Sequence, residues 1–577
     1  MPSPELTAAA ATLGLGPWGA TLLARRGVTS PTLLARHLGD PRDGLNDPSL
    51  LPDAEIFRAR INAARDAGET VLVFGDFDAD GITGLAVLTL ALRAYGVTVV
   101  PYVPSRLDEG HGLSLAAVGA AESSGARVIV TVDTGTTSIA EVAAARARGI
   151  DVLVTDHHHV PLELPAALAI VNAHRPDSQY PDHRLSGAGI AFTLARLLLG
   201  DGPEALGLAD LAAIGTIADV APILGENRSI VRLGLERIRT GPRVGIAALL
   251  GRAKVEAAAT EVETISFAIA PRLNAAGRMG EALDAAMLLL AEDPNEASEL
   301  ADRLEAANLS RRDVTRTALA AARTAPDAVD DAPATIVRGP WPIGVVGLVA
   351  GRLAEERGRP ALVGAEIGAV VRASCRGDGT LHLAEALAAC GDLLIRHGGH
   401  AGAAGFEIAA DRWNEFRARF LALAAEAPAA AAPGVEIALA LGAMDVDYRL
   451  HADLLRLGPW GTGNPEPLVA VLGLTVTRAR EASGGHTQLV LKRRLDVLDG
   501  IAFGWPELAG LVGEGDRVDV VARLMSRRFG TVESLQLEIR DAAPSGHHAE
   551  SRSILAGGRV PVGPGASSAP LTAGSRA

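Results

Sequence analysis

The sequence predicts an α/β protein: a parallel, doubly wound domain, a long helical connector, a second α/β domain and a C-terminal β-barrel. Three patterns carry this. Across residues 69–171 short β-branched runs alternate with helical stretches, as in parallel sheets covered by helices. Across residues 185–323 the pattern is almost wholly helical, and residues 297–323 read as one long helix with charges along one side. Across residues 435–541 short alternating strands dominate, about five of them in about 110 residues, which suits a small barrel.

In the first region, residues 71–74, 97–100, 128–132, 152–154 and 168–171 read as strands. Residues 82–95, 114–123 and 139–147 read as the helices between them. In the second, residues 335–337, 361–363 and 369–371 read as strands, and 345–356 and 383–396 as helices. An Ala/Pro linker at 424–433 precedes the barrel, whose clearest strands are 472–476, 487–491, 518–524 and 534–539. The expected domains are an N-terminal segment (1–50), the first α/β domain (51–235), the connector (236–330), the second α/β domain (331–430), the barrel (435–543) and a Gly/Ser/Ala/Pro-rich disordered tail (544–577).

A chain of 577 residues is too long for one core. With 48% apolar and 21% charged residues its body is an ordinary folded protein. Lysine occurs only at Lys254 and Lys492 against many arginines, a bias that reads as genome base composition. Two cysteines, Cys375 and Cys390, build no disulfide framework and no CxxC zinc knuckle. With no secretion signal at the N-terminus and no apolar run of roughly 18 residues, a cytoplasmic protein without a membrane span is expected. The net charge of −14 argues against non-specific coating of nucleic acid. It leaves room for a nuclease, whose acidic site faces phosphate through cations.

Three predicted strands end in acid: residues 71–75 run into Asp76-Phe77-Asp78-Ala79-Asp80-Gly81, 128–132 into Asp133-Thr134-Gly135, and 152–155 into Asp156-His157-His158-His159. Ligands of open parallel sheets bind outside the carboxyl ends of the strands, so the three ends should converge. So many carboxylates repel one another unless cations neutralise them. Oxygen ligands with one or two imidazoles suit Mg2+ or Mn2+, and two such ions form the clamp for attack of water at phosphorus. Any one of these pieces alone is more often a turn or a surface histidine; three at successive strand ends reverse that preference. Gly14-Leu15-Gly16-Pro17-Trp18-Gly19 fits GxGxxG but lacks the preceding strand a nucleotide fingerprint needs.

These three segments, with Gly215-Thr216-Ile217-Ala218-Asp219-Val220 as a fourth, resemble the motifs of the DHH phosphoesterase superfamily. The resemblance implies that Asp76, Asp78, Asp80, Asp133, His157 and Asp219 hold two divalent ions, Mn2+ or Mg2+. It places His158 at the scissile phosphate and Asp156 behind an imidazole. Further segments are similar to the bacterial RecJ exonucleases: Val103-Pro104-Ser105-Arg106 with Gly110-His111-Gly112-Leu113-Ser114, Gly225-Glu226-Asn227-Arg228, and the run from Ala270 to Arg278. From these the resemblance implies substrate contacts by Arg106, Arg272 and Arg278. An ion pair within the helical region is an equally good reading of Arg272 and Arg278.

Gly398-Gly399-His400 resembles the signature of the DHH-associated domain, where glycine amides and His400 approach a phosphate, and Ser374-Cys375-Arg376 adds a hydroxyl and a guanidinium. Leu457-Gly458-Pro459-Trp460-Gly461-Thr462-Gly463-Asn464 resembles the opening of the RecJ OB-fold. Lys492-Arg493-Arg494 and Arg527-Arg528-Phe529 are candidates for a strand-binding groove. The chain departs from the family at Thr134 (usually Asn), Pro342 (His), Gly377 (Ser) and Trp460 (Phe), and none of these is a predicted metal ligand.

The function implied is metal-dependent 5′→3′ hydrolysis of single-stranded DNA to mononucleotides, in DNA repair and recombination, by a monomer. The partners implied are single-stranded DNA, a single-stranded-DNA-binding protein and a helicase. The alternatives are a phosphodiesterase for short oligonucleotides or cyclic dinucleotides, against which the barrel argues, and an inactive replication scaffold, against which the full ligand set argues.

Overall fold

The computed structural model describes residues 2–106, 108–279, 282–428, 435–493, 496–529 and 532–547. They fall into two compact units: Met1–Asn46, Pro222–Arg232 and Pro433–Ala577 form one, Asp47–Ala221 and Leu233–Ala432 the other.

The larger unit begins with a parallel five-stranded sheet: β1 (Thr70–Gly75), β2 (Thr98–Tyr102), β3 (Ala126–Val132), β4 (Asp151–Thr155) and β5 (Ala169–Val171). The order is β2-β1-β3-β4-β5. The chain leaves β1 for one neighbour and returns on its other side as β3, so the topological switch point lies between β1 and β3. The register pairs Gly75 with Val132 and Val132 with Thr155. Three strands therefore end level, and Asp76, Asp133 and Asp156 stand side by side. The inner strands are apolar on both faces, as helix-covered parallel strands must be: Val71 to Phe74, Val128 to Val130 and Val152 to Val154 are all buried.

The helix after β1, Ala79–Ala94, is buried over most of its length and packs on helices Gly187–Leu199 and Ala209–Ala218. Small residues permit the close approach: a Cβ on Gly84 would lie 2.6 Å from Val132 Cγ1. The long helix spans Pro294–Arg323 with Asp293 as its N-cap.

The second sheet of this unit contains β6 (Thr335–Gly339), β7 (Ala361–Ile367), β8 (Val370–Arg376), β9 (Leu394–Gly399) and β10 (Ala403–Ala409), in the order β6-β7-β8-β10-β9. Only β6 and β7 are parallel; the other pairs are antiparallel. The helix expected over 383–396 ends at Ala388, and its second half is an edge strand. Gly391 interrupts the run, and a short apolar stretch such as Leu393-Leu394-Ile395 fits either period until a partner strand decides.

In the smaller unit β11 (Leu439–Gly442), β12 (Val469–Ala482), β13 (His486–Arg493), β14 (Asp496–Ala502), β15 (Arg517–Phe529) and β16 (Val532–Pro544) run β11-β12-β13-β14-β16-β15. Pairing of β12 with β15 closes the barrel. Leu6, Leu22, Leu23 and Leu34 share one core with Leu441, Val471, Leu491, Val520 and Leu537, so the N-terminal segment belongs to the barrel's core rather than standing alone. Pro544, the first residue of the expected tail, still pairs with Val518. The rest of the expected tail from 548, Arg494, and the side chains of Arg528 and Phe529 lie outside the described residues. No described helix is long and apolar enough to cross a membrane.

Candidate metal centre and active site

Each acid is held by a local device. Asp76 leaves β1 beside Asp133, and Asp133 takes a left-handed backbone at φ 62°, uncommon outside glycine and typical of functional sites. Asp78 caps the helix Ala79–Ala94, accepting from the Asp80 and Gly81 amides at 3.0 and 3.1 Å. Asp80, in the first turn of the same helix, accepts from the Gly187 and Ala188 amides at 2.7 and 2.9 Å, at the start of the helix Gly187–Leu199. Asp219 is the C-cap of Ala209–Ala218. Val220 after it has φ 60°, a strained state for a β-branched residue that turns the chain sharply there.

The functional atoms meet. His157 Nε2 lies 3.0 Å from Asp133 Oδ1 and 3.9 Å from Asp80 Oδ2, and His157 Nδ1 lies 3.9 Å from Asp219 Oδ2. Among the described residues these atoms make three ligand-competent triads: Asp76, Asp78 and Asp133; Asp80, His157 and Asp219; Asp133, His157 and His158. Asp133 belongs to two of them. Asp156 stands behind, its carboxylate accepting from the amides of Thr136, His157 and His158 and facing His158 Nδ1 at 2.8 Å.

The electrostatics are those of like charges crowded out of water. Burial, then Asp76 and Asp80, raises Asp78 to about 6. Burial, then Asp80, raises Asp219 to about 7. Burial, then Asp80 and Asp78, drives Asp133 well above the usual carboxylate range. Burial would raise Asp156 as well, yet its hydrogen bonds with His158 and Thr136 hold it at about 2. Its hydrogen bond to His158, outweighing burial, lifts that imidazole to about 9.

Asp76 Oδ1, Asp133 Oδ1 and His157 Nε2 are buried and have no hydrogen-bond partner; the 3.0 Å approach of His157 to Asp133 lacks hydrogen-bond direction. Orphaned oxygen and imidazole ligands converging on one point fit hard or borderline divalent cations.

A cavity of about 870 Å3 opens from this cluster. Asp76, Asp78, Asp133 and His158 line it together with Arg106, Arg278, Ser374, Arg376 and His400. Burial, then repulsion from Arg106 and Arg311, lowers Arg278 to about 10. Arg106 is lowered by burial despite Asp76 and Asp78, and lies 4.8 Å over the Phe77 ring. Arg376 donates to Ser374 Oγ and Cys375 O at 3.1 and 2.8 Å. Gly347 makes room: a Cβ there would lie 3.1 Å from Ser374 Oγ and 3.2 Å from Arg376 Nη2. Partly desolvated guanidiniums facing one another form a receptor for an anion.

Arg272 stands apart. It pairs with Glu305 at 2.5 Å and the Ala268 carbonyl at 2.7 Å and does not line the cavity. Of the departures from the family pattern, Thr134 lines it, whereas Pro342 caps the helix Ile343–Arg357 and Gly377 donates to the Gly402 carbonyl.

Sequence reasoning missed the Gly187 and Ala188 amides that hold Asp80; the signal was Ser186-Gly187-Ala188-Gly189, a serine cap followed by small residues. It also gave no role to His111, whose Nδ1 is 3.3 Å from Asp76 Oδ2 and whose ring is 4.5 Å from that of Phe77. Nor did it mark Arg372 and Arg396, which share Glu407 and line the same cavity.

The DHH family N-terminal domain matches residues 70–216, the DHHA1 domain 334–426 and the RecJ OB domain 437–541. The single-stranded-DNA-specific exonuclease RecJ of Escherichia coli is 36% identical over 579 residues, covering 91% of this chain and 95% of that protein. Its namesake from Bacillus subtilis is 34% identical over 541 residues, covering 92% of this chain and 69% of that one. The crystal structure of RecJ with Mn2+ from Thermus thermophilus superposes with a TM-score of 0.79 at 31% identity, over 94% of this chain and 78% of that one. Carrying all three domains and a convergent acidic cluster, the chain belongs to the RecJ family of exonucleases.

Proposed function

We propose that this chain is a metal-dependent exonuclease that hydrolyses single-stranded DNA from its 5′ end to mononucleotides, in DNA repair and recombination. One observation carries the reading: an acidic cluster with orphaned ligand atoms and a set of arginines line one cavity, in a chain related throughout to proteins named for this activity. Asp76, Asp78, Asp80, Asp133, His157 and Asp219 would hold two divalent ions, Mn2+ or Mg2+. Bound there, the ions supply Lewis-acid stabilisation of charge on the phosphoryl oxygens.

The rest falls to side chains. Arg106, Arg278, Ser374, Arg376 and His400 would grip the terminal phosphate and position the next phosphodiester at the carboxylates. His158, held by Asp156, would donate to an oxygen of the scissile phosphate. Asp156 would keep that ring in place. The Arg272–Glu305 pair supports the helical wall instead. The barrel would hold the strand further along. The proposed setting is a cytoplasmic monomer working with a single-stranded-DNA-binding protein and a helicase.

The test is digestion of end-labelled single- and double-stranded DNA with Mn2+, Mg2+ or EDTA. Mononucleotides should appear from 5′ ends of single strands with either metal and vanish with EDTA. Metal-independent cleavage, or equal cleavage of duplex, would overturn the reading.

A further inference from the structure

In the smaller unit Arg228 is only 4% exposed, and neither its Nε nor its Nη1 has a hydrogen-bond partner. Arginine is almost never buried to this degree without a counter-charge, because an uncompensated buried cation is strongly unfavourable. Burial, then repulsion from Arg232 and Arg26, lowers it to about 9. Glu226, two residues away, is engaged by the backbone and side-chain amides of Asn46 at 3.0 and 2.8 Å. Glu436 faces Arg26.

A second orphan lies nearby. His37 Nε2 is buried without a partner, and burial with Arg228, Arg232 and Arg26 depresses that ring to about 3, so it stays neutral. The surroundings are fixed in advance. Arg26 is clamped on Asn464 Oδ1 and the Pro465 carbonyl at 2.6 and 2.5 Å and lies 5.1 Å over the Trp460 ring. Arg232 reaches the Gly39 carbonyl at 2.9 Å. The turn before Arg228 is pinned by Ile223 N to Thr462 O at 2.8 Å and by Asn227 Nδ2 to Pro222 O at 3.1 Å.

We propose that Arg228, with Arg26, Arg232 and His37, forms a second anion site that takes a phosphate group. An open guanidinium donor on a buried cation meets a phosphate oxygen in a charge-assisted hydrogen bond, and a neutral imidazole supplies a further donor. Donors and positive charge brought together from separate chain segments, with no carboxylate among the described residues ion-paired with Arg228, are what an anion would complete. The site lies outside the nuclease cavity and does not depend on the nuclease reading. A DNA backbone phosphate and free inorganic phosphate share this chemistry.

The test uses the full chain in EDTA at fixed ionic strength, with chloride exchanged for inorganic phosphate. Phosphate should raise the unfolding midpoint of the unchanged chain and of Arg376→Ala, which removes the cavity's own phosphate contact. In Arg228→Met the rise should be lost, while the midpoint in chloride is equal or higher because an unpaired buried charge has gone. A rise in Arg228→Met equal to that of the unchanged chain overturns the site. Should Arg228→Met fail to fold, crystals of the unchanged chain soaked in tungstate decide: density at the Arg228 guanidinium supports the site, and density only in the nuclease cavity overturns it. Binding of a 5′-hydroxyl oligothymidylate then separates the sources. A salt slope reduced by roughly 0.7 in Arg228→Met identifies a DNA phosphate. An unchanged slope with the midpoint effect intact identifies free phosphate. Either result keeps the site.

Discussion

Replacing Gly187 by alanine sets one methyl group against the carboxylate shared by two ligand triads, without touching any ligand. The added Cβ would lie 2.5 Å from Asp133 Cβ and 2.8 Å from its Cγ and Oδ1. Contact becomes ordinary at 3.4 Å, so the two groups must part by about 0.9 Å. The helix has little freedom to withdraw, because its Gly187 and Ala188 amides hold both oxygens of Asp80. Asp133 already occupies a left-handed backbone state at the end of a strand buried everywhere but at Arg127.

Overpacking of this kind costs about 1–3 kcal/mol of stability. A misplacement near 1 Å at reacting groups lowers turnover about a hundredfold. The assay is release of labelled nucleotide from 5′-phosphorylated single-stranded DNA with Mn2+, alongside unfolding midpoints with and without the metal. Gly187→Ala should lose roughly two orders of magnitude in rate and most of its Mn2+-dependent stabilisation, while folding. As a control, Gly119→Ala lies mid-helix in Leu115–Ser123 with nothing within 4 Å of the new Cβ, and should gain about 0.5–1 kcal/mol from helix propensity. A Gly187→Ala protein within threefold of the parent rate, with an unchanged metal response, would refute the placement of Asp133 at the centre of the site.

Asp133→Ala should abolish turnover and, by removing one of several repelling buried carboxylates, leave the midpoint in EDTA equal or higher; substantial Mn2+-dependent cleavage by the folded variant would exclude the cluster as the active site. Mn2+ or Mg2+ should stabilise the parent by about 2.7 kcal/mol at a hundred times the dissociation constant, and calorimetry should find this gone in Asp133→Ala. Arg376→Ala should weaken the transition state by roughly 1.5–3 kcal/mol, more for 5′-phosphorylated than 5′-hydroxyl ends; equal losses in kcat/KM on the two would show that Arg376 does not read that phosphate. Truncation at Pro433 removes the strands on which Leu6, Leu22, Leu23 and Leu34 pack, so the shortened chain should aggregate on size-exclusion chromatography, and a clean monomer would contradict the shared core.

The sequence alone determined the alternation of strand and helix, the barrel, the strand-end acids and the family, because buried parallel strands and acidic turns leave local signatures that need no partner. It also marked Asp219 at a helix end before Pro222, although only the structure reveals the left-handed Val220 that makes the turn. Other features depended on distant partners. Residues 394–396 read as the end of a helix until β10 offered hydrogen bonds along an edge. Arg272 and Arg278 carried the same sequence signal, yet Glu305 took one while the cavity wall kept the other. Nothing local joined Leu6 and Leu34 to the barrel, or aimed Gly187 and Ala188 amides at Asp80, because these contacts span more than a hundred residues. Burial decided the last of them: Asp133, His157 and Arg228 are ordinary letters in a sequence, and only packing that removes water without supplying a partner leaves their orphaned atoms ready for a ligand.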